Sequence, residues 1–188
     1  MTVYFKKIDS SIFPTALIDP DSIKGELKFH YGHPRYFEIS DKDYVESLKK
    51  VFKIPPVNFY LVEGHGVLPP HFDHGQDSCL NFYIRPGGYT TSFWKLKENA
   101  KNRVSIKYDA KTNTTKEVNT GYYYEDLILI DQFQAIAGEA YVLNISEIHS
   151  VEGANPEKPR AFVQLQWNMT MDQLLKSLNF NGNNNENL

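Results

Sequence analysis

The chain of 188 residues carries 20 Lys and Arg against 23 Asp and Glu, a formal net charge of −3, and is 41% hydrophobic and 14% aromatic. That length fits one domain with a sizeable core, and the balanced charge without a long Lys/Arg block excludes a phosphate-coating surface, so no nucleic-acid partner is expected. A single cysteine, Cys79, excludes an intrachain disulfide and reads as residence in a reducing compartment. The opening MTVYFKKIDSSIF lacks a secretory apolar core, and no run approaches the roughly 18 apolar residues of a membrane span. A soluble, cytoplasmic protein without membrane association is expected.

The first forty residues mix short apolar runs with Pro14, Pro20 and Pro34, which predicts irregular or short-strand structure wrapped on a core. Ser40 or Asp41 then caps a helix in which Tyr44, Leu48, Val51 and Phe52 recur at helical spacing, ended by Pro55 and Pro56. Short β-like runs follow: VNFYLV at 57–62, HFDH near 71–74, SCLNFYI at 78–84, TTSFWKL at 90–96 and RVSIKYD at 103–109. KTNTT at 111–115 reads as a hairpin tip, and further strands are predicted at 126–133, 140–146 and 161–167. MDQLLKSL at 171–178 reads as a short terminal helix, and the Asn-rich residues 181–188 as a polar tail. Residues 1–180 are thus expected to form one mainly β domain with antiparallel pairing and a few flanking helices. Trp94 and Trp167 are expected in the core, Lys95, Lys97 and Lys101 at a solvated strand end, and Tyr122, Tyr123 and Tyr124 form an aromatic run that either packs outward or serves recognition.

Six His and 23 acidic residues give about 0.7 chance occurrences of His-x-Asp/Glu under random placement, so His71-Phe72-Asp73 is informative only through its context. Residues two apart on a strand project from one face and can bind one ion together. His149, after the β-like run AYVLNIS, supplies a third ligand from a facing strand. Two imidazoles and one carboxylate occupy one face of an octahedron and leave the other positions open, a set suited to non-haem Fe(II). Arg160 lies eleven residues beyond His149, across GANPEKP, where a hairpin brings its guanidinium beside the metal to grip a carboxylate with two charge-assisted hydrogen bonds.

This pattern resembles the Fe(II)/2-oxoglutarate-dependent oxygenase family, in its prolyl-hydroxylase-like and aspartyl/asparaginyl-hydroxylase-like branches. HFD at 71–73, His149, Arg160 and the stretch GEAYVLNISEIHSVEG at 138–153 carry the resemblance, which covers about residues 57 to 167. It implies a double-stranded β-helix, a jelly-roll or cupin-like barrel, with His71, Asp73 and His149 as iron ligands and Arg160 on the far carboxylate of 2-oxoglutarate. Asn81 and Tyr83 are the further co-substrate candidates, sharing odd-numbered parity with Cys79 and Arg85. The implied activity is hydroxylation of a C–H bond in a peptidyl or small-molecule substrate with dioxygen, releasing succinate and carbon dioxide. One departure stands out: Phe162 occupies the place of the family's frequent Ser, with Tyr83 as its substitute or the co-substrate pocket altered or absent. The alternatives are a cupin-like metal-binding barrel whose activity is independent of 2-oxoglutarate, and a non-catalytic binding module on the same fold. His74 reads as a supporting or structural group that replaces His71 if the register shifts, and His65 as a loop residue.

Overall fold

A computed structural model describes residues 2–13, 25–30, 35–64, 67–73, 75–100, 103–104, 107–109, 114–116, 121–153 and 160–178. His65, His74, Lys101, the turn after Gly153 and the polar tail lie outside these residues. The strands are β1 (Phe5–Ile8), β2 (Gly25–His30), β3 (Arg35–Ile39), β4 (Asn58–Gly64), β5 (Leu68–His71), β6 (Ser78–Arg85), β7 (Thr90–Leu96), β8 (Arg103–Val104), β9 (Lys107–Asp109), β10 (Thr114–Lys116), β11 (Gly121–Tyr122), β12 (Leu127–Gln134), β13 (Ala140–Asn144), β14 (His149–Glu152) and β15 (Arg160–Trp167). The helices are α1 (Lys42–Val51) and α2 (Met171–Ser177). Asp41 caps α1 by accepting from Tyr44 N, as its spacing predicts, while Thr170 and Gln173 close a reciprocal capping box on α2.

Eight strands form one long antiparallel ribbon folded back on itself: β4 pairs with β15, β5 with β14, β6 with β13 and β7 with β12. Winding that ribbon gives a seven-stranded sheet ordered β1-β13-β6-β15-β4-β3-β2 and a six-stranded sheet ordered β12-β7-β14-β5-β11-β8, each alternating strands from the two arms. This is a mainly β, double-stranded β-helix of the jelly-roll kind. Among the described residues no strand pairing joins the two sheets, which form an unclosed jelly-roll sandwich. No helix among the described residues is long and apolar enough to cross a membrane.

The large sheet is covered on both faces at β15, whose eight residues are all buried although Arg160, Gln164 and Gln166 among them are polar. Its outer face, with Leu61, Leu80, Val142, Val163, Leu165 and Trp167, packs under Tyr44 and Leu48 of α1 and Met171 and Leu174 of α2. Its inner face turns Val62, Cys79, Tyr83, Tyr141, Leu143 and Phe162 toward Phe93 of the small sheet. Trp167 is fully buried and donates Nε1–H to the carbonyl of Ile54 at 2.9 Å. Trp94, expected in the core, is only half-buried: alternation puts it opposite Phe93, on the outer face of β7, where it bonds Ser150 Oγ at 2.8 Å.

Candidate metal centre

Because the ribbon sets β5 against β14, His71 and His149 are register partners across the ladder. Directly opposed residues of an antiparallel pair stand roughly 4.5–5.5 Å apart, and the two imidazole rings are 4.5 Å between centroids. Asp73 lies two residues past His71, just beyond the end of β5, and its backbone N–H donates to the carbonyl of Ile145 at 2.9 Å. That bond ties the carboxylate to the turn leading into β14. One ligand atom from each of His71, Asp73 and His149 lies within 4.8 Å of the others, and His71 Nε2 stands 3.6 Å from Asp73 Oδ1.

Both imidazoles are held the same way. Each Nδ1 faces the carbonyl oxygen two residues upstream, His71 to Pro69 at 2.7 Å and His149 to Glu147 at 2.9 Å. A carbonyl only accepts, so Nδ1 carries the proton and Nε2 presents its lone pair to the cluster, the arrangement that orients a metal-binding histidine. Burial, then the neighbouring His71, pushes the His149 imidazole down to about 4, against the raising pull of Asp73. His149 is therefore neutral and able to coordinate at neutral pH. His149 is buried, whereas the side chains of His71 and Asp73 retain 23% and 36% exposure, so the cluster opens to solvent on their side. The donor set and its free electron pairs suit a divalent metal that keeps open coordination positions.

Arg160 begins β15, in the other sheet. The chain between His149 and Arg160 is thus a crossover between layers, and the hairpin expected from sequence is replaced because β15 completes its ladder with β4 and β6. The crossover still brings Arg160 within electrostatic reach of His149. The guanidinium is buried at 5% exposure, over the rings of Tyr89 at 5.5 Å and Phe162 at 5.0 Å. Among the described residues no carboxylate pairs with it; the ionisable groups that favour its charge are the hydroxyls of Tyr83, Tyr36 and Tyr89. Burial pushes its pKa down, yet a guanidinium stays protonated in proteins. Every fully enclosed side-chain nitrogen or oxygen among the described residues has a hydrogen-bond partner. Phe162, the departure from the expected Ser, presents its ring to the cation in place of a hydroxyl.

Asn81 and Tyr83 both face the interior, as their parity predicts, while an irregularity in the β6–β15 register between Ala161 and Phe162 sends Arg85 outward to Glu63. Tyr83 is fully covered, its phenol pushed up by burial and eased by Arg160 and by bonds from Asn81 and Thr91. The sequence reading missed a chain of amides on this face. Asn58 Nδ2 donates to Gln166 Oε1 at 3.0 Å, Gln166 Nε2 to Gln164 Oε1 at 2.9 Å and Gln164 Nε2 to Asn81 Oδ1 at 3.2 Å. Two glutamines sharing the parity of Arg160 in RAFVQLQW were the available signal. Cys79 is buried beside Asp73, and burial holds its thiol well above the ordinary range, so it is a protonated packing group. A recess of about 440 Å³ lined by Thr2, Asp77, Asn144, Ser146 and Asp172 shares no residue with the cluster; the centre is marked by its donors and not by cavity size.

No family model matches the chain, and no curated protein matches it. Among solved structures, oxalate decarboxylase of Lactobacillus farciminis in its formate complex aligns with 80% of this chain and 32% of its own at 12% identity and a TM-score of 0.37. The Fe(II) form of HppE aligns with 79% of this chain and 58% of its own, at 12% identity and a TM-score of 0.29. The chain therefore spans less than two thirds of either protein. At such scores the reading of the centre rests on its own geometry.

Proposed function

We propose that the chain is an Fe(II)- and 2-oxoglutarate-dependent oxygenase that hydroxylates a C–H bond of a peptidyl or small-molecule substrate. His71, Asp73 and His149 would hold the iron through two Nε2 atoms and a carboxylate oxygen, leaving the opposite positions for 2-oxoglutarate and dioxygen. Bound iron would supply the activation of dioxygen that couples decarboxylation of 2-oxoglutarate to succinate and carbon dioxide with oxidation of the substrate. The protein's own work is positional. Pro69 and Glu147 carbonyls fix the imidazole tautomers, and the covered inner face around Phe93 and Phe162 keeps water from the deep side of the cluster. Arg160, helped by Tyr83 and Asn81, would take the far carboxylate of the co-substrate.

The observation that carries this reading is the buried guanidinium of Arg160, without a carboxylate partner among the described residues and within electrostatic reach of His149 in the two-imidazole, one-carboxylate cluster. A desolvated cation without an anionic partner is costly, and a carboxylate ligand relieves that cost with two charge-assisted bonds. Under anaerobic conditions, Fe(II) followed by 2-oxoglutarate should develop the weak visible charge-transfer band of the chelate, and admitting air should release succinate. A chain that binds metal at these residues yet shows neither signal would instead be a metal-binding barrel independent of 2-oxoglutarate.

A further inference from the structure

β12 is an edge strand: it stands first in the six-stranded sheet, and among the described residues its ladder is with β7 alone. An open edge presents a row of unpaired N–H and C=O groups, and proteins usually blunt it with Lys, Pro, charge or shortness. β12 is eight residues long, and its Leu127–Ile130 stretch has neither charge nor proline. Ile128, Leu129 and Ile130 are 49%, 45% and 41% exposed, and Leu96, Tyr123 and Tyr124 extend the apolar surface at 38%, 45% and 42%. Consecutive residues of a strand point to opposite faces, so the exposed apolar surface lies on both faces of this strand. The register shift between Leu129 and Asp131 twists the strand without adding a charge to its apolar half.

We infer that the β12 edge is the homodimer interface, where the β12 strands of two copies pair antiparallel about a two-fold axis and join their six-stranded sheets. The occupant is a second copy for three reasons. The patch is uncharged, so it selects no partner by charge, whereas an antiparallel edge is complementary to itself. Pairing about Leu129 sets Ile128 of each copy against Ile130 of the other and keeps the two Asp131 carboxylates apart. At these exposures the six side chains offer on the order of 500 Å² per copy, so their complete coverage would bury up to about 1,000 Å² in a pair, the threshold for specific association. Assembly closes at two, because a two-fold pairing uses the same edge of both copies and leaves no β12 edge free.

Sedimentation velocity on the metal-loaded full chain at about 50 μM should give twice the 21.7 kDa chain mass. The double variant Ile128→Lys, Leu129→Lys should sediment as a single chain with an unchanged far-ultraviolet spectrum, and Val57→Lys, at an equally exposed apolar site off the patch (53%), should remain a dimer. As a check that needs no substitution, backbone amides of residues 127–131 in the unaltered protein should lose hydrogen-exchange protection on dilution through the dissociation range. A wild-type monomer at 50 μM, a dimer that survives both lysines in a folded variant, or β12 protection independent of concentration overturns the inference. None of these readouts depends on 2-oxoglutarate, so the oxygenase proposal and this one fail separately.

Discussion

Replacing Arg160 with Met should separate co-substrate binding from everything else the residue touches. Methionine keeps most of the buried volume and can cover the rings of Tyr89 and Phe162, but it removes the fork that would grip a carboxylate. Two charge-assisted bonds contribute about 1.5–3 kcal/mol each; discounting for the help Tyr83 still gives, the variant should lose about 3 kcal/mol, a roughly 100-fold rise in the Kd for 2-oxoglutarate. Stability should move in the other direction or hardly at all. The wild-type cation is 5% exposed without a carboxylate partner among the described residues, so its removal relieves desolvation. Two cation–ring contacts at about 0.5–1 kcal/mol each are lost in exchange. The net change should stay within about 1 kcal/mol, a Tm shift of less than roughly 4 °C. Metal affinity should hold or rise slightly, because Arg160 disfavours positive charge at His149. Calorimetric titration of 2-oxoglutarate into the Mn(II)-loaded proteins, with melting curves of the metal-free forms, reads all three. Co-substrate affinity within threefold of wild type at full metal occupancy refutes the reasoning, and so does a variant that unfolds.

Asp73→Ala or His149→Ala should lower Mn(II) affinity at least 100-fold by calorimetry, because each removes one of the three proposed ligands, while the melting temperature of the metal-free form changes little for the half-exposed Asp73. The pH dependence of the metal-free chain has a definite sign. His149 sits at about 4 in the fold against an ordinary 6.5, so the unfolded chain takes up its proton first; stability is intact above pH 6.5 and falls by about 3 kcal/mol as the pH drops toward 4. Urea titrations at pH 7 and pH 4.5 read that loss, and His149→Gln should flatten it. Gln164→Leu removes the middle of the inner amide chain and orphans groups on Asn81 and Gln166, a cost of about 1–3 kcal/mol, seen as a lower urea midpoint with unchanged slope.

The strands of the ribbon were legible because period-2 patterning survives wherever a sheet has one wet or one polar face: SCLNFYI and TTSFWKL match β6 and β7 within a residue. The proximity of His71 and Asp73 was legible for the same reason, since His-x-Asp on an extended segment shares a face whatever the fold. Register was not legible. Nothing local says that β14 turns away from β15 into the other sheet, because that choice is made by pairing with β5, about eighty residues earlier in the chain. Nor was the half-burial of Trp94, which depends on Phe93 winning the inner side. The amide chain through Gln164 and Gln166 escaped notice because β15 reads as a uniformly buried strand, and burial alone does not distinguish an apolar neighbour from a bonded one.

Stability and chemistry are assigned to opposite faces of one sheet. Leu80, Val163, Leu165 and Trp167 face the two helices in a wholly apolar layer, and no residue of the candidate centre belongs to it. Their alternates in the same strands, Cys79, Asn81, Tyr83, Phe162 and Gln164, lie on the inner face toward the small sheet. A one-residue slip of β15 against β6 would exchange the two sets, turning Arg160 to the outer face and Trp167 to the inner one, so the apolar layer enforces the register that the candidate centre needs. The inner face, which mixes the apolar cluster around Phe93 and Phe162 with the polar side chains of Asn81, Gln164 and Arg160, is thereby held in register by the outer layer. Substitutions confined to the outer layer, such as Leu165→Ala at about 2–5 kcal/mol, should therefore lower Tm while leaving the metal and co-substrate affinities of the folded fraction unchanged; a matching loss of metal affinity in the folded protein would show that the two faces are not independent.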